Sequence, residues 1–269
     1  MIDAKLESHM LALPAVLRDH VMMLREKVFE SAGHLPQFDL LINDLLDLRN
    51  MFCSGNTIVS LERMKLYGKN LFAPLFATAN FISCDVSPSS AESRGKYNSR
   101  LVDDDRFVTS RYESFTCPPE HLDLENSTAD LIIIPNVVHH VRNQWEMWTE
   151  VARVAKPGSL LYVFEPTLRE VHQYPDDYVR YTPNGLAEVL KDHGFAIDTI
   201  RTTGGPFSAI AYCWKQALQY VTPSEREYWT DWFAEHFKVL MRLETLNNVN
   251  LDREFTSFPT AFSILARRQ

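Results

Sequence analysis

Three histidines follow neighbouring apolar runs of this chain and suggest acid–base chemistry. His139 and His140 come shortly after the run 131–134, and His172 comes after the run 160–164. An imidazole is the usual general base near neutral pH. Because adjacent residues at the start of a helix cannot both face one cleft, at most one of the pair is expected to be catalytic. Packing or capping at a helix start is the alternative for each.

The apolar runs predict a strand–helix–strand unit that positions these residues. The run 131–134 is typical of a strand buried on both faces, residues 145–154 have helical spacing, and the run 160–164 predicts a second buried strand. The short connections favour a right-handed crossover in a parallel sheet. Ligands bind such sheets beyond the carboxyl ends of the strands. Four polar residues are placed there: Asn136, His139, His140 and Glu165.

Two segments resemble the class I S-adenosylmethionine (SAM)-dependent methyltransferases that act on small molecules. Residues 130–141 and 150–158 match that family's fourth-strand pattern, fDlIi.nvleHv, and the following eiaRvLKPGG. The segment YPDDYVRYTPNGL, residues 174–186, is similar to the YPxDYxRFTPEGL pattern of a subset. The resemblance covers roughly residues 58–268. It implies an α/β fold with a Rossmann-like, seven-stranded, mostly parallel sheet and helices on both faces.

The glycine-rich loop of that family, D-x-G-x-G-x-G, is poorly matched. In the register set by the ending GKNLFAPLF, Met64 replaces the acid and Leu66 the first glycine. Gly68 is kept, and Asn70 stands where another glycine is common; asparagine tolerates the positive φ that such a turn uses. In a shifted register, Glu62 supplies the missing acid. Both registers remain open at the level of sequence.

The resemblance implies SAM as the cofactor and suggests further contacts with it. Asp85, followed by Val86, ends the predicted second strand, where an acid usually accepts hydrogen bonds from the ribose hydroxyls; a turn or helix cap is its alternative role. The third strand is predicted at 106–109. The remaining candidates are Glu113 and Ser114 after the third strand, for adenine, and Asn136 after the fourth.

The segment after the fifth strand supplies the candidate substrate residues, which are Asp176, Asp177, Tyr178 and Arg180. Arg180 suits bidentate binding of a carboxylate or phosphate. A plainer prediction is that Thr182 caps a helix beginning at Pro183. Methyl transfer is an in-line displacement that requires no metal. Because the histidines lack HxxxH spacing, no metal site is predicted.

Composition restricts the partners that are expected. The chain has 269 residues and a formal net charge of −8, without a basic run, which argues against nucleic acid. No apolar stretch is long enough to span a bilayer. The start of the chain lacks a signal-peptide pattern and its four cysteines are scattered, so a cytoplasmic protein with reduced thiols is predicted.

Three parts are expected along the chain. Residues 1–55 predict helices that form either a lid or a packing and dimer surface, and residues 56–269 predict the α/β domain. The latter includes a helical insertion, 205–250, whose aromatic residues are expected in the core. The predicted function is SAM-dependent methylation of an oxygen, nitrogen or carbon of a small molecule, such as a sugar or secondary metabolite. The alternative is a related protein that no longer methylates, acting as a partner subunit or catalysing another reaction in the same cleft.

Overall fold

A seven-stranded sheet organises the residues that the computed structural model describes, which are 4–32, 37–63, 67–86, 111–172, 174–250 and 258–269. Its order is β3-β2-β1-β4-β5-β7-β6, and only β7 runs antiparallel to its neighbours. The predicted α/β, mostly parallel architecture is therefore confirmed. The strands are β1 Thr57–Glu62, β2 Asn80–Asp85, β3 Tyr112–Thr116, β4 Ala129–Pro135, β5 Ala155–Pro166, β6 Phe195–Thr203 and β7 Ala261–Arg268.

Helices cover both faces of the sheet. They are α1 Ala4–Leu11, α2 Ala15–Ala32, α3 Gln37–Arg49, α4 Ala73–Leu75, α5 Gln144–Val154, α6 Pro183–Asp192, α7 Pro206–Ala217 and α8 Pro223–Asn250. A π-helical turn, Gly68–Phe72, precedes α4, and 3₁₀ turns occupy Val138–His140 and Leu218–Tyr220.

The strand–helix–strand unit forms where the sequence predicts it, and β4 pairs with β5 in parallel. Alternate β4 side chains pack in the apolar cores on opposite faces of the sheet. Ile133 faces the layer containing α1–α3, whereas Ile132 and Ile134 face the layer containing α5 and α6. Burial on both faces explains the continuous apolar run. The strand β5 is longer than predicted. It begins at Ala155, immediately after α5, and includes residues 156–158.

The first helices pack on the sheet instead of forming a separate core. Leu41 and Leu45 of α3 share an apolar cluster with Ile58 of β1, as the predicted inward face of α3 requires. Buried Asp44 of α3 accepts hydrogen bonds from the hydroxyls of Tyr162, at 3.0 Å, and Ser263, at 2.6 Å. This network ties α3 to β5 and β7. The roles of residues 1–55 as a lid or a dimer surface remain predictions.

Three local predictions need correction. The third strand is β3 at Tyr112–Thr116, later than the predicted 106–109, which lie outside the described residues. The apolar residues of the first helical region were predicted to lie on one helix face. The region instead forms two helices, since α1 ends at Leu11 and α2 begins at Ala15, and Leu11 is exposed. In the insertion, Phe233 is buried, but Tyr228 and Trp232 are exposed, so the aromatic residues are only partly core.

None of the described helices combines the length and apolar character needed to span a bilayer.

Candidate functional site

Glu165 at the end of β5 shapes the turn that follows β4. Its Oε1 accepts the backbone N–H groups of Val137, at 2.7 Å, and Val138, at 2.8 Å. Its Oε2 lies 2.6 Å from Nδ1 of His139. One buried carboxylate therefore holds the 3₁₀ turn and orients the first histidine, while Asn136 enters this turn with a φ of +54°.

His139, His140 and His172 meet beyond the ends of β4 and β5. The ring centroids of His139 and His140 are 3.9 Å apart, and that of His172 lies 4.8 Å from His140 and 5.4 Å from His139. His139 and His140 are buried and His172 is partly buried. Both members of the adjacent pair thus lie beside His172, contrary to the expectation that only one could face the cleft, because a 3₁₀ turn replaces the predicted helix start.

Each ring is hydrogen-bonded through Nδ1. Nδ1 of His140 contacts the backbone oxygen of Asp176, and Nδ1 of His172 lies 3.1 Å from Oδ2 of Asp177. Burial, followed by the charges of His139 and Arg63, lowers the pKa of His140 to about 2. Burial, followed by the charge of Arg169, lowers the pKa of His172 to about 4. His140 and His172 are therefore neutral at pH 7.

Glu62 at the end of β1 closes the turn that leads to the π-helical segment. Its carboxylate accepts the backbone N–H of Tyr67, at 3.0 Å, and of Gly68, at 2.7 Å, and the hydroxyls of Ser60 and Ser83. Burial raises the pKa of Glu62 although these hydrogen bonds oppose the rise. A Cβ at Gly68 would lie 1.9 Å from Oε1 of Glu62, so this close approach requires glycine.

Glu62 is the last residue of β1, and its role as the acid of the family's motif stays a prediction. Met64 and Leu66, which define the other register, lie outside the described residues. Asn70 lies within the right-handed π-helical turn, so the expected positive φ does not occur there. Its backbone oxygen instead lies 2.5 Å from Nε2 of His20, which connects this segment to α2.

Arg63, immediately after Glu62, is a buried cation in the cleft that sequence analysis did not single out. Its Nη2 lies 3.6 Å from Oδ2 of Asp176, too far for a hydrogen bond, and its charge also interacts with that of Asp85. Burial lowers the pKa of Arg63, and these carboxylates oppose the shift. Its Nε and Nη2 are buried without a hydrogen-bond partner.

Asp85 is nearly buried at the carboxyl end of β2, beside Glu62 at the end of β1. Val86 follows and donates its backbone N–H to the backbone oxygen of Glu62, at 2.9 Å. Glu113 and Ser114, expected after the third strand, lie inside β3 with exposed side chains. Their expected position after the strand is therefore wrong, because β3 begins later than predicted.

The segment 174–182 lies against the histidines and is held by an internal ion pair. Arg180 contacts both carboxylate oxygens of Asp177, one at 2.8 Å. Although burial opposes the shift, the hydrogen bonds from Arg180 keep the pKa of Asp177 below its usual value. Tyr178 is exposed and donates its hydroxyl to Asp176, at 3.1 Å. Arg180 thus orders the segment through Asp177, and its contact with a ligand stays a prediction.

Charged residues that the motifs do not contain complete this region. Arg169 has a buried Nε without a hydrogen-bond partner, and its charge acts on His172. Its neighbour Glu170 accepts a hydrogen bond from the hydroxyl of Tyr212 in α7. The family pattern gives no signal for Arg63 or Arg169. The only sequence signal for Arg63 was its place directly after a strand-ending acid.

Comparison with known proteins agrees with this fold. Residues 67–163 match the family model described as "Methyltransferase domain". None of the curated proteins matches the sequence. The solved [4+2]-cyclase SpnF is similar, with 15% identity, a TM-score of 0.52, and coverage of 86% of this chain and 82% of that one. Another similar structure is the complex between the Haloferax volcanii Trm112 methyltransferase activator and a protein assigned as a methyltransferase. For it, the identity is 14%, the TM-score 0.51, and the coverage 95% and 99%.

Proposed function

We propose that this chain, whose residues 67–163 match a methyltransferase family model, binds SAM and methylates a small molecule held beside its histidines. The cofactor would lie beyond the carboxyl ends of β1 and β2, as ligands of such sheets do. The acceptor would lie beyond β4 and β5, where the three imidazoles meet. The attacked atom and the chemical class of the acceptor, a sugar or a secondary metabolite, remain predictions.

The buried guanidinium of Arg63 carries the cofactor assignment. Its Nε and Nη2 lack hydrogen-bond partners although Asp176 lies 3.6 Å away, and buried N–H donors of a charged group are costly unless a ligand provides acceptors. The methionine carboxylate of SAM offers such acceptors, and Arg63 would bind it. Asp85 would accept hydrogen bonds from the ribose hydroxyls. The close approach of Gly68 to Glu62 keeps the intervening turn compact.

His139 is the best placed base for a protic acceptor. Oε2 of Glu165 is hydrogen-bonded to Nδ1 of its ring, so Nε2 is the nitrogen that would accept the proton. Glu165 then stabilises the resulting imidazolium as an adjacent carboxylate. His140 and His172, which are neutral, would line the acceptor side without adding charge. Bound SAM supplies a methyl group on a cationic sulfonium.

Calorimetric titration with SAM and with its demethylated product tests this proposal. We expect both to bind the parent chain, Asp85→Ala to abolish binding, and Arg63→Met to weaken it by roughly 10- to 100-fold, as the loss of a charged hydrogen bond predicts. Asp198→Ala removes an exposed aspartate on β6 and should leave both affinities unchanged. Binding of SAM to Asp85→Ala with the parent affinity would show that the ribose assignment is wrong.

Failure of the parent chain to bind either compound would instead favour the alternative, a superfamily member that no longer methylates. The similar [4+2]-cyclase illustrates that a related fold occurs in a protein named for a different reaction. A second copy of the chain or a partner methyltransferase subunit remains a prediction and would then be sought first.

A further inference from the structure

We propose that His139, His140 and His172 bind one divalent transition-metal ion of the zinc type. Within the described part of the chain, a ring nitrogen of each lies within 4.8 Å of a ring nitrogen of both others. The chain supplies these rings from two connections that are separated in sequence, so spacing alone gave no metal pattern. The parallel pairing of β4 with β5 brings the two connections to one edge of the sheet.

The hydrogen bonds around the rings match those of metal-bound histidines. Ligating imidazoles almost always donate their other N–H to a carboxylate or a backbone oxygen, which fixes the ring and its tautomer. Here Nδ1 contacts Oε2 of Glu165 for His139, the backbone oxygen of Asp176 for His140, and Oδ2 of Asp177 for His172. With Nδ1 as the donor in each ring, Nε2 carries the lone pair and is the ligand atom.

The three rings need only a small rearrangement to bind one ion. Tetrahedral zinc at 2.0–2.1 Å from each nitrogen places the nitrogens about 3.4 Å apart. One ring nitrogen from each histidine lies within 4.8 Å of the other two, so these nitrogens need to approach one another by about 1.4 Å at most. His172 can supply most of this movement, since it lies in an irregular segment, whereas Glu165 fixes the turn that carries His139.

The charges around the cluster permit a cation. Arg63 and Arg169 oppose it, as their effects on the histidines show. Asp176 lies 3.6 Å from Arg63, and Glu170 lies 3.5 Å from Arg169, so each guanidinium faces a carboxylate. Glu165, which is hydrogen-bonded to the ring of His139, adds a negative charge beside the proposed ion. An anion bound by the guanidiniums is the competing occupant.

The donor set selects the metal. Three imidazoles suit zinc, cobalt and related ions, whereas magnesium and calcium prefer oxygen ligands. Three protein ligands leave a fourth position open, as in catalytic zinc sites. The proposed metal site does not depend on methyl transfer. If the proposed function holds, an ion held there would bind the acceptor oxygen and lower the pKa of its hydroxyl, so that the proton is lost to solvent water while His139 acts as a ligand and not as the base.

The test is titration of the full chain, freed of metal by a chelator, with zinc ions by calorimetry and with cobalt ions by visible absorption. We expect one zinc ion per chain in the cluster, cobalt absorption typical of a four-coordinate site, and no binding of magnesium. His172→Ala and His140→Ala should each weaken zinc binding about 100-fold or more. His121→Ala removes an exposed histidine outside the cluster and should leave the affinity unchanged.

Circular dichroism of each variant identifies any that fails to fold, and the folded member of the pair decides the outcome. The proposal is overturned if the parent chain binds no zinc, with or without binding of inorganic phosphate, or if a folded His172→Ala or His140→Ala variant binds zinc with the parent affinity. SAM titration of the same samples separates the two proposals. Zinc binding without SAM binding would contradict the proposed function and support the metal site. SAM binding without zinc binding would support the proposed function and contradict the metal site.

Discussion

Oε2 of Glu165 lies 2.6 Å from Nδ1 of His139, while Oε1 of the same carboxylate accepts the backbone N–H groups of Val137 and Val138. The conformation of the turn after β4 and the orientation of His139 therefore depend on one side chain at the end of β5. Because all of these groups are buried, any loss leaves unsatisfied donors.

Glu165→Gln should destabilise the protein by about 1–3 kcal/mol, since the amide has one accepting oxygen where the carboxylate has two. The measurement is the free energy of unfolding in urea. Glu188→Gln, at an exposed ion pair with Lys191, should change it by less than about 0.5 kcal/mol. Nitrogen NMR should also show that Nδ1 of His139 is no longer uniformly protonated. An unchanged tautomer would contradict the orienting role.

The sequence was sufficient to predict the elements of the central unit because their signals are local. The apolar run of β4, the helical spacing of α5 and the cap at Thr182 all occur where they were expected. The meeting of His172 with His139 was not predictable in detail, since it depends on the path of the segment after β5. A motif match identifies such residues but not their separation.

Gly68→Ala should destabilise the protein by about 1–3 kcal/mol or more, because its new Cβ would overlap Oε1 of Glu62. Lys69→Ala, in the same π-helical turn, lacks this overlap and serves as the control. Thermal unfolding of both variants measures the difference. Equal melting temperatures would show that Glu62 can move aside and that the turn is less tightly packed than its geometry indicates.

Glu62 should make stability depend on pH in a defined direction. Burial raises its pKa in the folded chain, so the folded state retains the proton at a pH where the unfolded state has lost it. The associated stability is full below the ordinary pKa of 4.5 and is lost as the pH rises through the folded value. Unfolding free energies measured in urea across this pH range should show the decline.

Glu62→Gln should remove that part of the pH dependence, because the amide does not titrate. The free energy of unfolding of the variant should therefore improve relative to the parent as the pH rises. Identical pH profiles for the two proteins would contradict the raised pKa of Glu62. The comparison separates titration from packing, since the amide keeps nearly the same volume.

Arg63 shows why the rest of the site could not be predicted from the sequence. A strand-ending acid followed by arginine gives no information about whether that arginine faces solvent. Only the fold places Asp85 and Asp176 near it and buries its Nε. The position of the third strand was also not predictable from the sequence. The strand β3 is short and half-exposed at the sheet edge, so it lacks a strong apolar pattern.

Thr182 should fix the start of α6 and, with it, the end of the segment that carries Asp177. Its Oγ1 accepts the backbone N–H of Gly185 at 3.1 Å. Thr182→Ala should cost about 1 kcal/mol of unfolding free energy, whereas Thr182→Ser keeps the hydroxyl and should cost only a few tenths. Urea denaturation measures both values. Because the cap acts on the helix start, a loss in the serine variant equal to that in alanine would mean that packing of the threonine methyl, and not the hydrogen bond, holds this end of α6.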